Sequence, residues 1–179
     1  AFITKFDGNA TVKNLAFINA QSGLKNDDGS VKEKGVPVFF CTWESGKYII
    51  ENMYIEIEFS IGSDGQWGRN VFDAHWKNAS FTAKQVIVKT NDGEPYRISF
   101  SNNMWVASVQ GIYLISANEN ATLAGNYKNS IGTAISAPTD PQVAAVYASV
   151  EAMKAANNDY SDFVKSGYWT LDEDGLPVF

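Results

Sequence analysis

The sequence predicts an all-β fold in which the chain winds as a short right-handed parallel β-helix of about four coils. Three observations favour it. Residues 38–52 match residues 71–85 without a gap. Related segments recur at spacings of 38, 33 and 26 residues, which separate the anchor positions Val12, Ile50, Ala83 and Val109. Apolar residues alternate along each repeated segment, as in strands with one buried face. Short strands recurring at such a period are typical of a solenoid.

The first strand of each coil is predicted from an aromatic-rich segment. In the gap-free alignment Val38 falls on Val71, Phe39 on Phe72, Thr42 on His75 and Trp43 on Trp76. Residues 1–6 fit the same strand of the first coil. Period-two alternation predicts an inward-facing set on these strands: Phe39, Cys41 and Trp43, then Phe72, Ala74 and Trp76.

The second strand of each coil is predicted to supply a stacked core. If parallel strands lie about 4.8 Å apart, residues of like register form rows along the axis. One inward row contains Leu15, Met53, Val86 and Ile112, and the next contains Phe17, Ile55, Val88 and Leu114. The outward row between them contains Ala16, Tyr54, Ile87 and Tyr113.

A corner is predicted just before each second strand, at Asn14, Asn52, Gln85 and Gly111. The recurrence of amides at one register favours a ladder of stacked side chains that bond to groups left unpaired by the bend. The alternative is that Asn simply tolerates the bend. Polar, Gly-containing segments at 21–35 and 62–68 are predicted to project as loops, where binding residues usually lie.

The C-terminal part has a different pattern. Asp140 is predicted to cap a helix that starts at Pro141 and ends between residues 155 and 158. Its apolar face would contain Val143, Val146, Tyr147, Val150 and Met153. Segments 168–171 and 176–179 flank a turn and predict a hairpin. We therefore assign residues 1–138 to the coils and residues 139–179 to a cap on the same domain, which hides the last apolar layer of the stack.

Composition narrows the function classes. The net charge is −6 and the isoelectric point is about 4.7, which disfavours nucleic acid and anionic membranes as partners. No apolar run is long enough to cross a bilayer, so membrane insertion is not expected. One cysteine and one histidine make neither an internal disulfide nor a zinc site, and no cofactor or metal is predicted. The chain opens on strand-like residues, so we expect a mature product or a piece of a longer protein.

Two segments resemble a known group of proteins. VKNLAFINA at 12–20 and YWTLDEDGLPVF at 168–179 are similar to coils and final stretches of parallel β-helix domains in bacterial surface proteins and phage appendages. That group includes the domains named for their Gly-Leu-Gly repeats, although this chain lacks a Gly-Leu-Phe-Gly opening. The coil pattern covers about two thirds of the chain. The resemblance implies an extracellular, cell-surface or virion location and a role in display, adhesion or glycan contact.

Exposed aromatic residues are the main candidates for binding, because an aromatic ring can stack on the apolar face of a sugar. Trp67 lies between glycines in a predicted loop, and Tyr54 and Tyr113 belong to the outward row. Trp105 lies near the second strand of the fourth predicted coil. The outward pair Asp73 and His75 completes the candidate binding set. A surface histidine beside an acid is the favoured interpretation of that pair, over a catalytic one.

The predicted function is non-catalytic: a surface module that contacts a glycan or a host or cell-surface protein. The alternative is a polysaccharide depolymerase or lyase that uses outward carboxylates at Glu56, Glu58 and Asp73. A third interpretation is a structural spacer in a homotrimeric fibre. No catalytic residue is assigned.

Overall fold

The structure is a computed structural model that describes residues 8–22, 24–28, 30–33, 40–42, 46–60, 71–74, 79–91, 104–121, 123, 136 and 138–179. Strands dominate, and the two helices of the described part are short. In chain order the elements are β1 (Ala10–Ser22), β2 (Leu24–Lys25), β3 (Val31–Glu33), β4 (Phe40–Thr42), β5 (Gly46–Ser60), β6 (Phe72–Ala74), β7 (Ala79–Thr90), β8 (Met104–Ile115), β9 (Ala144–Tyr147), α1 (Val150–Ala155), α2 (Ser161–Val164), β10 (Thr170–Leu171) and β11 (Pro177–Val178).

A five-stranded parallel sheet forms the centre of the molecule. Its strands lie in the order β1-β5-β7-β8-β9, which is also their order along the chain. The predicted rows are confirmed: Leu15 pairs with Met53, Met53 with Val86, and Val86 with Ile112. The row from Phe17 to Leu114 keeps the same register. The repeat therefore places like residues side by side on adjacent strands.

The two faces of this sheet carry separate apolar clusters. On the inner face Met53, Ile55, Val86 and Val88 are fully buried together with Leu114. On the outer face the predicted outward row is also confirmed, because Ala16, Tyr54, Ile87 and Tyr113 are neighbours in register. Ile87 and Tyr113 of this outer row are buried and Tyr54 is half-buried, so this part of the sheet packs against other parts of the chain on both sides.

The corner positions share one backbone conformation. Asn14, Asn52, Gln85 and Gly111 all have a positive φ, between 46° and 70°. Asn and Gly adopt this left-handed region more easily than other residues. The Nδ2 group of Asn52 also donates to Oδ1 of Asn14 at 3.0 Å. Both interpretations of the repeated amides therefore apply: the residues fit the bend, and the first two form one rung of a ladder.

The pairing of the first strands corrects the gap-free alignment. Phe40 pairs with Phe72, Cys41 with Asp73, and Thr42 with Ala74, which is one residue away from the predicted register. The predicted match of Thr42 with His75 is therefore wrong. Three residues separate β4 from β5 and four separate β6 from β7, so the link between β6 and β7 is one residue longer.

The helix predicted from Pro141 is wrong in its first half. Residues 144–147 form β9, the fifth strand of the central sheet, which pairs in parallel with residues Ile112 to Ile115 of β8. The helix α1 starts only after Ser149, whose side-chain oxygen accepts from the backbone N–H of Ala152 at 3.1 Å. Its end at Ala155 agrees with the prediction. The loop predicted at 21–35 also contains the short antiparallel pair β2-β3.

The C-terminal residues 149–179, which comprise α1, α2 and the β10-β11 hairpin, form what we term the outer cover. The predicted hairpin is confirmed, with Thr170 opposite Val178 and Leu171 opposite Pro177. We expected this segment at the end of the stack, but it packs on the outer face of the sheet. Met153, Phe163 and Trp169 of the cover are buried against the outer row. No helix among the described residues has the length and apolar character needed to span a bilayer.

Candidate functional site

Tyr113 lies beneath the outer cover. Only 1% of its surface is exposed. Its ring stacks on Phe163 of α2, with 5.9 Å between ring centroids, and meets the edge of Tyr160 at 5.3 Å. The expectation that Tyr113 offers an exposed ring is therefore wrong, because a cover that the sequence pattern placed elsewhere occupies its face. Its hydroxyl donates to the backbone carbonyl of Gln142 at 3.0 Å.

Tyr54 lies at the opposite end of the cover and is half-buried. Its ring meets Trp169 edge-on at 6.5 Å, and its hydroxyl donates to Oε2 of Glu56 at 3.1 Å. Oε1 of Glu56 accepts from Nδ2 of Asn91 at 2.6 Å. Burial, followed by the charge and hydrogen bond of Glu56, raises the pKa of Tyr54 to about 12. Tyr54 is thus held in place by its neighbours rather than presented as an open platform.

Two of the other predicted site residues lie in described strands. Asp73 lies in β6 opposite Cys41, and Trp105 lies in β8 opposite Ser80. Trp67 and His75 fall outside the described residues, as do the whole loop predicted at 62–68 and the strand predicted at 1–6. Their assignments stay predictions.

A cleft opens where the outer cover meets the corner of the sheet. Its volume is about 200 Å³. Its apolar walls are Gly111, Tyr113, Val143 and Phe163. Its polar lining consists of Gln85, Gln110, Gln142, Asp159 and Asp162. Three amides and two carboxylates thus converge on one small space beside a buried tyrosine.

Gly111 makes this arrangement possible. A Cβ atom at this position would lie 3.1 Å from Cε2 of Phe163. The glycine therefore lets α2 approach the sheet closely, and its positive φ of 70° suits a residue without a side chain. Gly111 also ends the row of corner amides, because it is the residue beside Gln85 on β8 and has no side chain.

Hydrogen bonds hold the polar lining in position. Nε2 of Gln110 donates to Oδ2 of Asp162 at 3.0 Å, and Oε1 of Gln142 accepts from the backbone N–H of Asp159 at 3.1 Å. These contacts join β8 and the turn before β9 to the start of α2. They use one end of each amide, so the carbonyl of Gln110 and the NH₂ group of Gln142 remain for a ligand.

Gln85 differs from the other amides of the cleft. Its residue surface is 8% exposed, yet no hydrogen bond joins its side chain to another described residue. Oδ1 of its neighbour Asn52 is buried and also lacks a partner among the described residues. The amide of Gln85 lines the cleft, so a ligand held there can form hydrogen bonds with it.

The carboxylates give the cleft a negative charge. The backbone N–H and then the hydroxyl of Ser161 hold the pKa of Asp159 below its ordinary value, so this group is ionised near neutral pH. Lys165 forms an ion pair with Asp162, which raises the pKa of Lys165. Burial, followed by the neighbouring Tyr147 and the charges of Asp140, Asp159 and Asp162, raises the pKa of Tyr113.

Apart from Tyr113, the sequence analysis missed the lining of this cleft. Gln110, Gln142, Asp159 and Asp162 come from separate segments and share no spacing motif. The one local signal was Asp159 two residues before Ser161, a pattern in which a carboxylate bonds to the backbone. Among the described residues, no group of three or more acidic, histidine or cysteine side chains is placed to hold a metal ion.

Comparison of the chain with protein-family models, with curated proteins and with solved structures gives no match.

Proposed function

We propose that this chain is a non-catalytic module of an extracellular, cell-surface or virion protein, and that its cleft holds one sugar unit of a glycan. The observation that carries this proposal is the convergence of three amides on one small cleft, with the buried Gln85 side chain unpaired. The resemblance of the repeats to surface β-helix domains favours the same class of function.

The chemistry of the cleft suits a carbohydrate. A sugar hydroxyl both donates and accepts hydrogen bonds, and a glutamine amide does the same through its two ends. A volume of about 200 Å³ is smaller than that of most pockets for drug-sized ligands. It accommodates a single ring of a chain whose other units remain in solvent. The buried Tyr113 and Phe163 fix the shape of the site rather than stack on the ligand.

The position of the Glu56 carboxylate supports binding over cleavage. Its Oε2 accepts a hydrogen bond from Tyr54 and its Oε1 accepts one from Asn91. A general acid or base needs a carboxylate free to reach its substrate. This carboxylate instead fixes its neighbours, which favours the non-catalytic function over the depolymerase.

We further propose that the sheet belongs to a right-handed solenoid. Three features support this. Strands adjacent in the sheet follow one another in the order of the repeats, four of the five strands bend at a left-handed corner, and the pair β4-β6 forms a second parallel sheet. Parallel connections are right-handed in almost all proteins. Assembly into a trimer stays a prediction, which analytical ultracentrifugation tests.

A glycan array tests the proposed function. We expect the wild-type protein to retain a limited set of glycans and Gln142→Ala to lower those signals about fivefold to tenfold, since about one hydrogen bond is lost. Gln21→Ala, which removes an amide from the edge strand β1, is the matched control and should bind as the wild type does. Trp67→Ala on the same array tests the predicted loop contact.

Two results would contradict the proposal. If the wild-type protein binds no glycan on the array, the proposal that the cleft holds a sugar unit is wrong. Release of reducing ends from polysaccharides by the wild type, abolished in Glu56→Gln, would favour the depolymerase instead.

A further inference from the structure

We infer that the cleft prefers a sugar that carries a free amine, so that a protonated amino group lies among its carboxylate and amide oxygens. This inference rests on the proposed function and narrows it to a ligand class. A neutral sugar would satisfy the amides alone. The charge of the cleft and the unpaired acceptors described below favour a cation.

The first observation is an imbalance of charge around the cleft. Asp140, Asp159 and Asp162 lie close enough to Tyr113 to influence its ionisation, and Lys165 follows directly after α2. Lys165 forms an ion pair with Asp162, and its charge also acts on Asp159. The two cleft-lining carboxylates therefore share Lys165 as their cation among the described residues, while Ser161 stabilises the ionised form of Asp159. A cationic group entering the cleft would neutralise the remaining negative charge.

The second observation concerns Gln85 and does not depend on the acidic residues. Its side chain is more than nine-tenths buried, lines the cleft and has no hydrogen-bond partner among the described residues. The Nε2 group of the exposed Gln110 donates to Asp162, which leaves the Gln110 carbonyl as a further acceptor at the cleft. An ammonium group has three N–H donors and no acceptor. The two amide carbonyls and the carboxylate of Asp159 together supply acceptors for it.

N-acetylation removes the features that this arrangement recognises. An acetylated amine has no positive charge, offers one N–H donor and adds a bulky acyl group. In a cleft of about 200 Å³ the acyl group competes for space with the ring itself. The cleft should therefore distinguish an amine from its acetylated form on the same sugar backbone.

A pair of matched oligosaccharides tests the inference. Isothermal titration calorimetry is performed with the glucosamine tetramer and with the N-acetylglucosamine tetramer, at mildly acidic pH and low salt. We expect the amine form to bind the wild type about tenfold more tightly, as one partly solvated charge pair provides. Added salt should reduce this difference because it screens the charges.

Two variants separate the cleft from the general negative charge of the protein. Asp159→Asn removes one charge but keeps an oxygen that can accept from Ser161, and we expect it to lose most of the preference for the amine form. Glu173→Gln removes one charge from the exposed hairpin turn, outside the cleft, and should keep the preference. Gln85→Leu, which removes the buried amide, should also weaken binding of the amine form.

Four outcomes decide the inference. Preference for the amine form that is lost in Asp159→Asn and kept in Glu173→Gln supports it. Equal loss in both variants attributes the attraction to net charge and overturns it. Equal binding of both tetramers, or binding of neutral glycans on the array only, overturns the inference and leaves the proposed function standing. Absence of all glycan binding overturns both.

Discussion

Gly111→Ala is the substitution that most directly probes how the outer cover meets the sheet. The backbone at Gly111 has a φ of 70°, and a Cβ atom there would lie 3.1 Å from Cε2 and 3.5 Å from Cζ of Phe163. Phe163 is itself buried, so its ring has little room to move. The substitution therefore introduces two separate costs, one in the backbone and one in packing.

The size of each cost follows from these distances. An alanine in the left-handed region is strained by about 1–2 kcal/mol relative to glycine. Overpacking of a buried contact costs about 1–3 kcal/mol. We expect Gly111→Ala to lower the free energy of unfolding by about 2–5 kcal/mol in urea denaturation followed by circular dichroism.

Gly167→Ala provides the matched control. Gly167 has a similar φ of 77°, but a Cβ atom there meets no other atom within 4 Å. Gly167→Ala should lower the free energy of unfolding only by the backbone strain, about 1–2 kcal/mol. In a Phe163→Leu background the shorter side chain leaves space, so the extra cost of Gly111→Ala should disappear. If Gly111→Ala costs no more than Gly167→Ala in the wild-type background, α2 does not pack on the corner and the description of the cleft fails.

Two further predictions concern the corner and the edge of the cover. Asn52→Ala should lower the free energy of unfolding by about 2 kcal/mol, because alanine forms no bond to Asn14 and fits a φ of 53° less well than asparagine. Asn52→Gly should lower it by about 1 kcal/mol less, because glycine fits this φ. If urea denaturation gave the reverse order, the corner geometry would be contradicted. The pKa of Tyr54 is raised from 10 to about 12 in the folded protein, so the neutral phenol stabilises the folded state. This stabilisation is fully present below pH 10 and is lost as the pH rises towards 12. Ultraviolet titration of the phenol should show this pKa, and Glu56→Gln should lower it only partly, because burial is the larger cause; a pKa of 10 in the wild type would show that Tyr54 is solvent-exposed.

The stacked rows could be predicted because they depend on a local pattern. Alternation assigns side chains to faces, and a recurring anchor aligns one strand with the next. Leu15, Met53, Val86 and Ile112 therefore fell into one row from the sequence alone. The repeated amides indicated the corner for the same reason.

The register of β4 and β6 could not be predicted in this way. The matching aromatic residues suggested an alignment without gaps, but the link between β6 and β7 is one residue longer than the link between β4 and β5. A shift of one residue moves every side chain of a strand to the opposite face. Only the pairing partner determines which register is adopted.

The segment at 144–147 shows how tertiary contacts override a short pattern. Val143, Val146 and Tyr147 fit the spacing of a helix, but four residues are too few to separate a helix from a strand by periodicity. Pairing with β8 decides the outcome. Ser149 gave a usable signal, because serine is a strong helix cap and the observed helix starts directly after it.

The cleft depends on information that no local pattern contains. Its polar side chains come from β7, β8, the turn before β9 and the start of α2. They meet because α2 lies against Gly111 on the outer face, where Phe163 fills the space a side chain would occupy. The sequence showed the apolar residues of the cover but not which surface they would pack on.

The placement of the outer cover has a consequence for how the molecule comes apart. In an open array of repeats, each unit touches only its neighbours and terminal units detach one at a time. Here Trp169 contacts Tyr54 of β5, while Phe163 contacts Tyr113 of β8, so one C-terminal segment braces strands that are not adjacent. If one of these strands unfolds, the outer cover loses contacts that also stabilise the other strands. We therefore expect β5 to β9 to unfold as a single cooperative unit. Ala16 of strand β1 is exposed and is not covered by the C-terminal segment. We therefore expect β1 to be the strand that can unfold independently.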